Sequence, residues 1–335
     1  MMPPLLPQRI ISLPKTELHL HLEGSIQPPT VSALAARHGV QLTEEEVRRR
    51  YAYRDFLEFI EAFKWVTSFL RKPRDYALVA RDLAEHLLTQ SVVYAEVTLS
   101  VGVMLLRKQS PEANFEALLR ATEAFESRGL RFNWVFDAVR QFGAEAAMHV
   151  LDSARQCAST TIVAFGLGGN ELSVPTPEFR AVYERAGEIG LHRLVHAGEV
   201  GGPEKIREAV ELLGAERIGH GIAANQDPSL MDLLAERRVV LEICPGSNIR
   251  TGALARQLCC EQARIEDHPL PVLLRHGIPV VLSTDDPAMF QTTLLDEYAN
   301  AARMGLQEDE LLRIVEMGFE HAFRPRREGP PARTG

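Results

Sequence analysis

Cysteine is scarce in this chain, four residues in 335, and the four form no C-x-x-C pair. Cys157, Cys244 and the vicinal Cys259 and Cys260 therefore provide neither a disulfide framework nor a thiolate zinc site, and a reducing compartment suits them. Long apolar runs are also missing. Nothing approaches the ~20 consecutive apolar residues that a bilayer span requires, and the proline-rich start, Met1 to Gln8, is too short in apolar length for a secretory signal. A cytoplasmic location with no membrane partner is the expectation. The 37 basic residues are outnumbered by 45 acidic ones, for a net charge of -8, and they are scattered, with no stripe that could track a phosphate backbone. Nucleic acid is not an expected partner. The chain further lacks an internal repeat, a domain-dividing linker, and the glycine-rich phosphate turn that follows the first strand of a doubly wound sheet.

What is present is an ordinary globular balance, 45% hydrophobic and 24% charged. Eight short apolar, β-branched runs recur: Lys15 to Leu20, Val92 to Thr98, Phe132 to Asp137, Ile162 to Gly166, Arg193 to His196, Arg217 to Gly219, Val239 to Ile243 and Ile278 to Ser283. Segments of helical periodicity separate them, which is the pattern of parallel strands joined by crossover helices. The expectation is an α/β fold, a (β/α)8 TIM barrel forming one domain over residues 1–323, with the Arg-, Pro- and Gly-rich 324–335 as a frayed tail. The interval between the first two runs is too long for a simple βα unit and predicts extra helices over the barrel mouth. Within it Phe56, Phe59, Ile60, Phe63 and Trp65 fall at helical spacing, with Phe59 and Phe63 one turn apart. Such a stripe is more often helix core; the sharper reading is an apolar lid on a ligand pocket.

In a parallel barrel the residues just past the C-terminal strand ends share one mouth, where active sites lie. The first run ends His19-Leu20-His21, and in an extended strand residues i and i+2 point to the same face. The fifth ends at His196, with Glu199 on the next turn. The sixth delivers His220 between two glycines, and the eighth delivers the adjacent carboxylates Asp285 and Asp286. A lone histidine on an apolar face is usually a hydrogen-bonded core residue, so the argument rests on their convergence. Three histidines and a carboxylate suit Zn²⁺ or a similar divalent ion with a position left for water. Such an ion lowers the pKa of that water from 15.7 to about 7, and Glu199 and His220 remain for acid and base work. The fourth run ends Gly166-Leu167-Gly168-Gly169-Asn170-Glu171, without the lysine that bridges two metals on barrels of this kind, so a single ion is expected. Its glycines can bring backbone N–H groups against a flat ligand.

Taken in order, Leu13-Pro14-Lys15, His19-Leu20-His21-Leu22-Glu23-Gly24, His196-Ala197-Gly198-Glu199, Arg217-Ile218-Gly219-His220-Gly221, Cys244-Pro245-Gly246-Ser247-Asn248 and Ser283-Thr284-Asp285-Asp286-Pro287 resemble the adenosine/AMP deaminase group of the amidohydrolase superfamily. The resemblance implies one Zn²⁺ held by His19, His21, His196 and Asp285. It also implies a zinc-dependent hydrolysis that replaces the 6-amino group of adenosine, or of an adenosine-like nucleoside, by an oxo group and releases ammonia. In that scheme Glu199 protonates the ring nitrogen beside the attacked carbon, and His220 orients and deprotonates the zinc-bound water. Asp286 faces the imidazole side of the purine, the Gly169 N–H holds a ring nitrogen, and His21 and Glu23 border the substrate. An acid that protonates the ring as attack occurs must itself be protonated, so Glu199 is expected to have a raised pKa. The P-C-x-x-C motif of the other zinc deaminases is absent.

Departures from the family pattern bear on the substrate. Glu23 stands where adenosine deaminases usually have Asp, at a position near the ribose 5′ end, and Gly-Asn-Glu replaces the frequent Gly-Asp-Glu after strand four. Phe136-Asp137-Ala138-Val139-Arg140-Gln141-Phe142 resembles a bacterial branch acting on nucleosides with larger 5′ groups, such as 6-aminodeoxyfutalosine of menaquinone synthesis. Adenine deaminases share the Leu-Glu-Gly turn, but many have Asp where Gly219 stands, which makes free adenine the less favoured substrate.

Overall fold

In the computed structural model, which describes residues 6–53 and 56–323, eight parallel strands follow one another around a barrel in sequence order. They are β1 (Lys15–His21), β2 (Val92–Leu99), β3 (Arg131–Val139), β4 (Ile162–Gly168), β5 (His192–Ala197), β6 (Arg217–His220), β7 (Val240–Ile243) and β8 (Val280–Leu282). All eight expected runs are strands, with ends shifted by no more than two residues. The last strand meets the first at a bridge between Leu20 and Asp285. There the His21 N–H donates to the Asp285 carbonyl at 2.8 Å and the Asp285 N–H donates to the His19 carbonyl at 2.9 Å. Barrel closure thus joins three of the expected site residues, His19, His21 and Asp285, through the backbone.

The strands read as near-continuous apolar runs because helices cover one face and the barrel interior the other. Every residue of β4 is buried, as is all of β1 except His21. Proline opens many of the helices: Pro28, Pro73, Pro111, Pro203 and Pro228 sit in first turns, where a missing N–H costs nothing and the fixed φ favours the helix. The long β1–β2 interval holds the expected additional helices, Pro28–Arg37, Glu44–Arg50, Phe56–Thr67 and Pro73–Leu88. Helix Glu308–Glu320 packs Leu311, Ile314 and Val315 inward and lies along β8 and β1, covering the seam where the barrel closes.

Several charged groups inside the barrel are paired. At the N-terminal end the buried Lys15 ammonium donates to the carbonyls of Ile10, Ile11 and Leu13 at 2.9, 3.0 and 2.6 Å, which caps that opening. Deeper, Arg217 of β6 pairs with Glu96 of β2 at 2.5 Å and with Glu242 of β7 at 2.6 Å, and its guanidinium lies 3.6 Å over the Phe323 ring. All four cysteines are free thiols. Among the described residues no helix is long and apolar enough to cross a membrane, and the expected tail 324–335 lies outside them.

Candidate active site

The C-terminal strand ends gather the histidines and carboxylates at one mouth. The His19 and His196 rings lie with centroids 4.6 Å apart, and His21 lies 5.4 Å from each. Gly219 of β6 makes this packing possible: a Cβ there would sit 2.7 Å from His19 Cε1 and 3.3 Å from His196 Cδ2. His19 is gripped from behind, its Nδ1 2.6 Å from Glu242 Oε2, which leaves its buried Nε2 without a hydrogen-bond partner 3.6 Å from Asp285 Oδ1. A carboxylate behind an imidazole is the usual support of a metal-binding histidine. His21 Nε2 lies 3.3 Å from the same Asp285 oxygen, and Ser247 donates to the other one at 2.7 Å. Donor atoms of His19, His196, His220 and Asp285 all fall within 4.8 Å of one another, a grouping that includes His220 and leaves out His21. The family resemblance places His21 in the ligand set and His220 outside it.

Electrostatics separates the roles. For His19 burial opposes a charge, but Asp285 and Glu242 outweigh it and raise its pKa to about 10. Burial lowers His21 and His220 to about 4 and His196 well below the usual imidazole range, so these rings are neutral and have a free lone pair near pH 7. The adjacent carboxylates of the β8 turn diverge. Burial opposes ionisation of Asp285 but His19 and the other imidazoles hold it well below the carboxylate range, whereas burial and the charge of Asp285 push Asp286 well above it. Asp285 is thus the anionic donor. The neutral rings of His21 and His196, His19 with its buried unpartnered Nε2, and the Asp285 carboxylate fit a single divalent ion of the zinc type.

Glu199 lies 3.7 Å from His220 Nε2 through Oε2 and accepts from Thr251 Oγ1 at 3.4 Å through Oε1. Burial, then the charges of Asp285 and Glu171, raise its pKa to about 8, the direction expected of an acid. Its loop is held from both sides. Glu171, at the end of β4, accepts from the N–H groups of Gly198, Val200 and Gly201, the last two at 3.0 and 2.9 Å. Gln257 donates to the carbonyls of Glu199 and Gly201, both at 2.8 Å, and Arg256 donates to that of Val200 at 3.1 Å.

Asp286 lies directly on Gly24, where any Cβ would collide with its carboxylate, which explains why the turn after His21 ends in glycine. Glu23 is buried; one oxygen accepts from the Ser100 N–H at 3.1 Å, the other has no partner, and burial raises its pKa to about 7. Gly169 is exposed at the rim beside Gln141. Phe59 is buried, stacked 5.1 Å from Phe290 of the turn that follows Asp286, with the half-buried Phe63 6.0 Å away. Phe59 is therefore both core and cover of the β8 turn.

Sequence reasoning passed over Glu242, Glu171, Asn248, His268 and Asp137. Glu242 carried a signal, an acid inside the apolar run Val-Val-Leu-Glu-Ile. Asn248 Nδ2 stands 3.1 Å from His220 Nδ1 and Asn248 Oδ1 stands 3.2 Å from His268 Nε2. Asp137 is buried with Oδ1 unpartnered, and burial pushes its pKa up to about 8. Its side chain fills the space over Gly166 and Gly168.

The family profile described as Adenosine deaminase matches residues 14–329. Among curated proteins, an aminodeoxyfutalosine deaminase of Streptomyces coelicolor is 39% identical over 94% of this chain and 81% of its own. An adenine deaminase of the same organism is 34% identical over 94% of this chain and 91% of its own. Among solved structures, an adenine deaminase of Arthrobacter aurescens superposes with a TM-score of 0.85 at 30% identity, covering 92% of this chain and 94% of that one.

Proposed function

The chain belongs to the adenosine deaminase family, a group of hydrolases that act on C–N bonds, and from that premise we propose a zinc-dependent deamination of a 6-aminopurine nucleoside. The observation that carries it is Glu199, a half-buried acid at about pKa 8 placed 3.7 Å from His220 at the rim of the His and Asp cluster. His19, His21, His196 and Asp285 would hold the ion, which when bound makes water nucleophilic at neutral pH. Glu199 delivers a proton to N1 as water adds to C6, so the ring does not accumulate charge. His220 faces the attacking oxygen. Asp286, kept protonated, can donate to a ring nitrogen on the imidazole side, the Gly169 N–H reaches another, and His21 and Glu23 line the sugar side.

Aminodeoxyfutalosine is the leading substrate. Support comes from curated relatives of that name at 35 to 39% identity and from Glu23, whose bond to the Ser100 N–H draws the longer carboxylate aside where the 5′ group would lie. Adenosine is a second candidate of the same class. Free adenine is favoured as an alternative by the adenine deaminase likenesses. The test is ultraviolet assay of zinc-loaded protein with aminodeoxyfutalosine, adenosine and adenine, beside metal analysis. One bound zinc and the highest kcat/KM on aminodeoxyfutalosine are expected. Highest activity on adenine would reverse the substrate order, and no turnover of any of them would end the reading.

A further inference from the structure

The barrel wall beside the His and Asp cluster holds two buried polar atoms without a hydrogen-bond partner, His196 Nδ1 and Asp137 Oδ1. They come together across β4. A Cβ on Gly168 would sit 3.0 Å from Asp137 Oδ2 and 3.4 Å from His196 Nδ1, so the carboxyl and the ring flank one point in the wall. A Cβ on Gly166 would come within 2.5 Å of Asp137 Oδ1. Glycine inside a strand weakens it and marks a close approach; here two glycines of β4 clear the room into which β3 projects its carboxyl. The surrounding glycines also show how His196 is turned. Gly168 faces its Nδ1–Cε1 edge, and a Cβ on Gly219 would meet its Cδ2 at 3.3 Å, which leaves Nε2, at the tip between them, to point at the mouth. An imidazole that binds an ion through Nε2 carries its hydrogen on Nδ1, and that hydrogen needs an acceptor.

We propose that Asp137 is that acceptor, a positioning residue that takes the Nδ1 hydrogen of His196, directly or through one buried water, and so holds the ring with Nε2 toward the ion. The inference rests on the reading of His196 as a metal ligand. Glu242 does the same for His19, whose Nδ1 lies 2.6 Å from Glu242 Oε2. The two supports come from opposite sides of the barrel, β7 behind His19 and β3 behind His196. A carboxyl oxygen accepts in either protonation state, so the bond does not depend on which form Asp137 takes. The Gly168 backbone N–H bonds the carboxyl from the strand it crosses and steadies it beside the ring. Asp137 is thus a buried acid whose work is done through His196 and not on the substrate.

Chelator competition reads the zinc affinity of the folded protein without reference to activity. Asp137→Ala should bind zinc roughly 10–100-fold more weakly, the usual cost of losing the group behind a metal-binding histidine, while the metal-free protein melts at an unchanged temperature. Asp137→Asn keeps an oxygen that accepts and should recover most of that affinity. Equal zinc affinity in Asp137→Ala and the unsubstituted protein overturns the proposal, as does a loss of zinc that comes only with a lower metal-free melting temperature, the mark of a packing residue. If Asp137→Ala does not fold, a crystal structure of the unsubstituted, zinc-loaded protein decides: an Asp137 oxygen on His196 Nδ1, or one water joining the two, is expected, and any other partner at Nδ1 overturns it. No zinc bound by the unsubstituted protein would end the metal reading and this inference with it. The expected zinc affinities in a protein that turns over no purine would instead end the deaminase reading and leave the role of Asp137 standing.

Discussion

At the scale of single residues, neighbouring groups of one chemical type are driven to opposite states. Asp285 and Asp286 are adjacent, yet contact with His19 holds the first well below the carboxylate range and burial beside the first pushes the second well above it. In the proposed reaction Glu199, raised to about 8 chiefly by burial, serves as the acid, and the sign of its pH dependence follows. Glu199 is protonated below about pH 8 and loses that proton above it, so kcat should hold through neutrality and fall as pH rises through 8. Glu199→Gln should retain the metal and lower kcat by roughly 10²–10⁴-fold, the usual worth of a positioned acid. Metal analysis with steady-state kinetics separates this from a ligand, because loss of zinc in Glu199→Gln would make Glu199 part of the metal site. Much of this was legible in the sequence, since the histidine pair, His196, Glu199 and the Asp pair all stand at strand ends. The Asn248 and His268 contacts behind His220 were not, because neither residue's place in the sequence says that they meet there.

Elements decide how accurately those residues are aimed. Glu199 sits on a loop, yet Glu171 takes three of that loop's N–H groups while Gln257 and Arg256 take its carbonyls, so the loop is fixed from β4 on one side and helix Ala253–Gln257 on the other. Glu171→Ala would leave those buried donors unpaired and let the loop drift. A shift of about 1 Å is enough to cost on the order of 10²-fold in rate, so a drop in kcat of that order is expected, with His19, His21, His196 and Asp285 still retaining zinc. Wild-type kcat in Glu171→Ala would show that the loop keeps its shape without this carboxylate. Glu171 stood in plain view in the Gly-Asn-Glu turn, but only the fold reveals that its partners lie on the next strand's loop.

Over the whole molecule, sequential strand order and barrel closure turn scattered residues into one site. β1 and β8 are at opposite ends of the sequence, and their bridge at Leu20 and Asp285 puts His19, His21 and Asp285 in contact. Eight apolar runs in regular alternation with helices made the barrel legible, and the overlong β1–β2 interval announced the helices over its mouth. The filling of the barrel was less so. Glu96, Arg217 and Glu242 lie far apart in sequence, and the strand register that pairs them behind His19 is a property of the closed sheet.

In the proposed reaction the mouth of this barrel adds water to a purine C6 and expels ammonia. Turnover of aminodeoxyfutalosine, or of adenosine if that is the better substrate, in oxygen-18 water followed by mass spectrometry tests it directly. One heavy oxygen at C6 of an intact nucleoside and one ammonia per product are expected. Absence of label at C6, or release of the free base in place of ammonia, would contradict it.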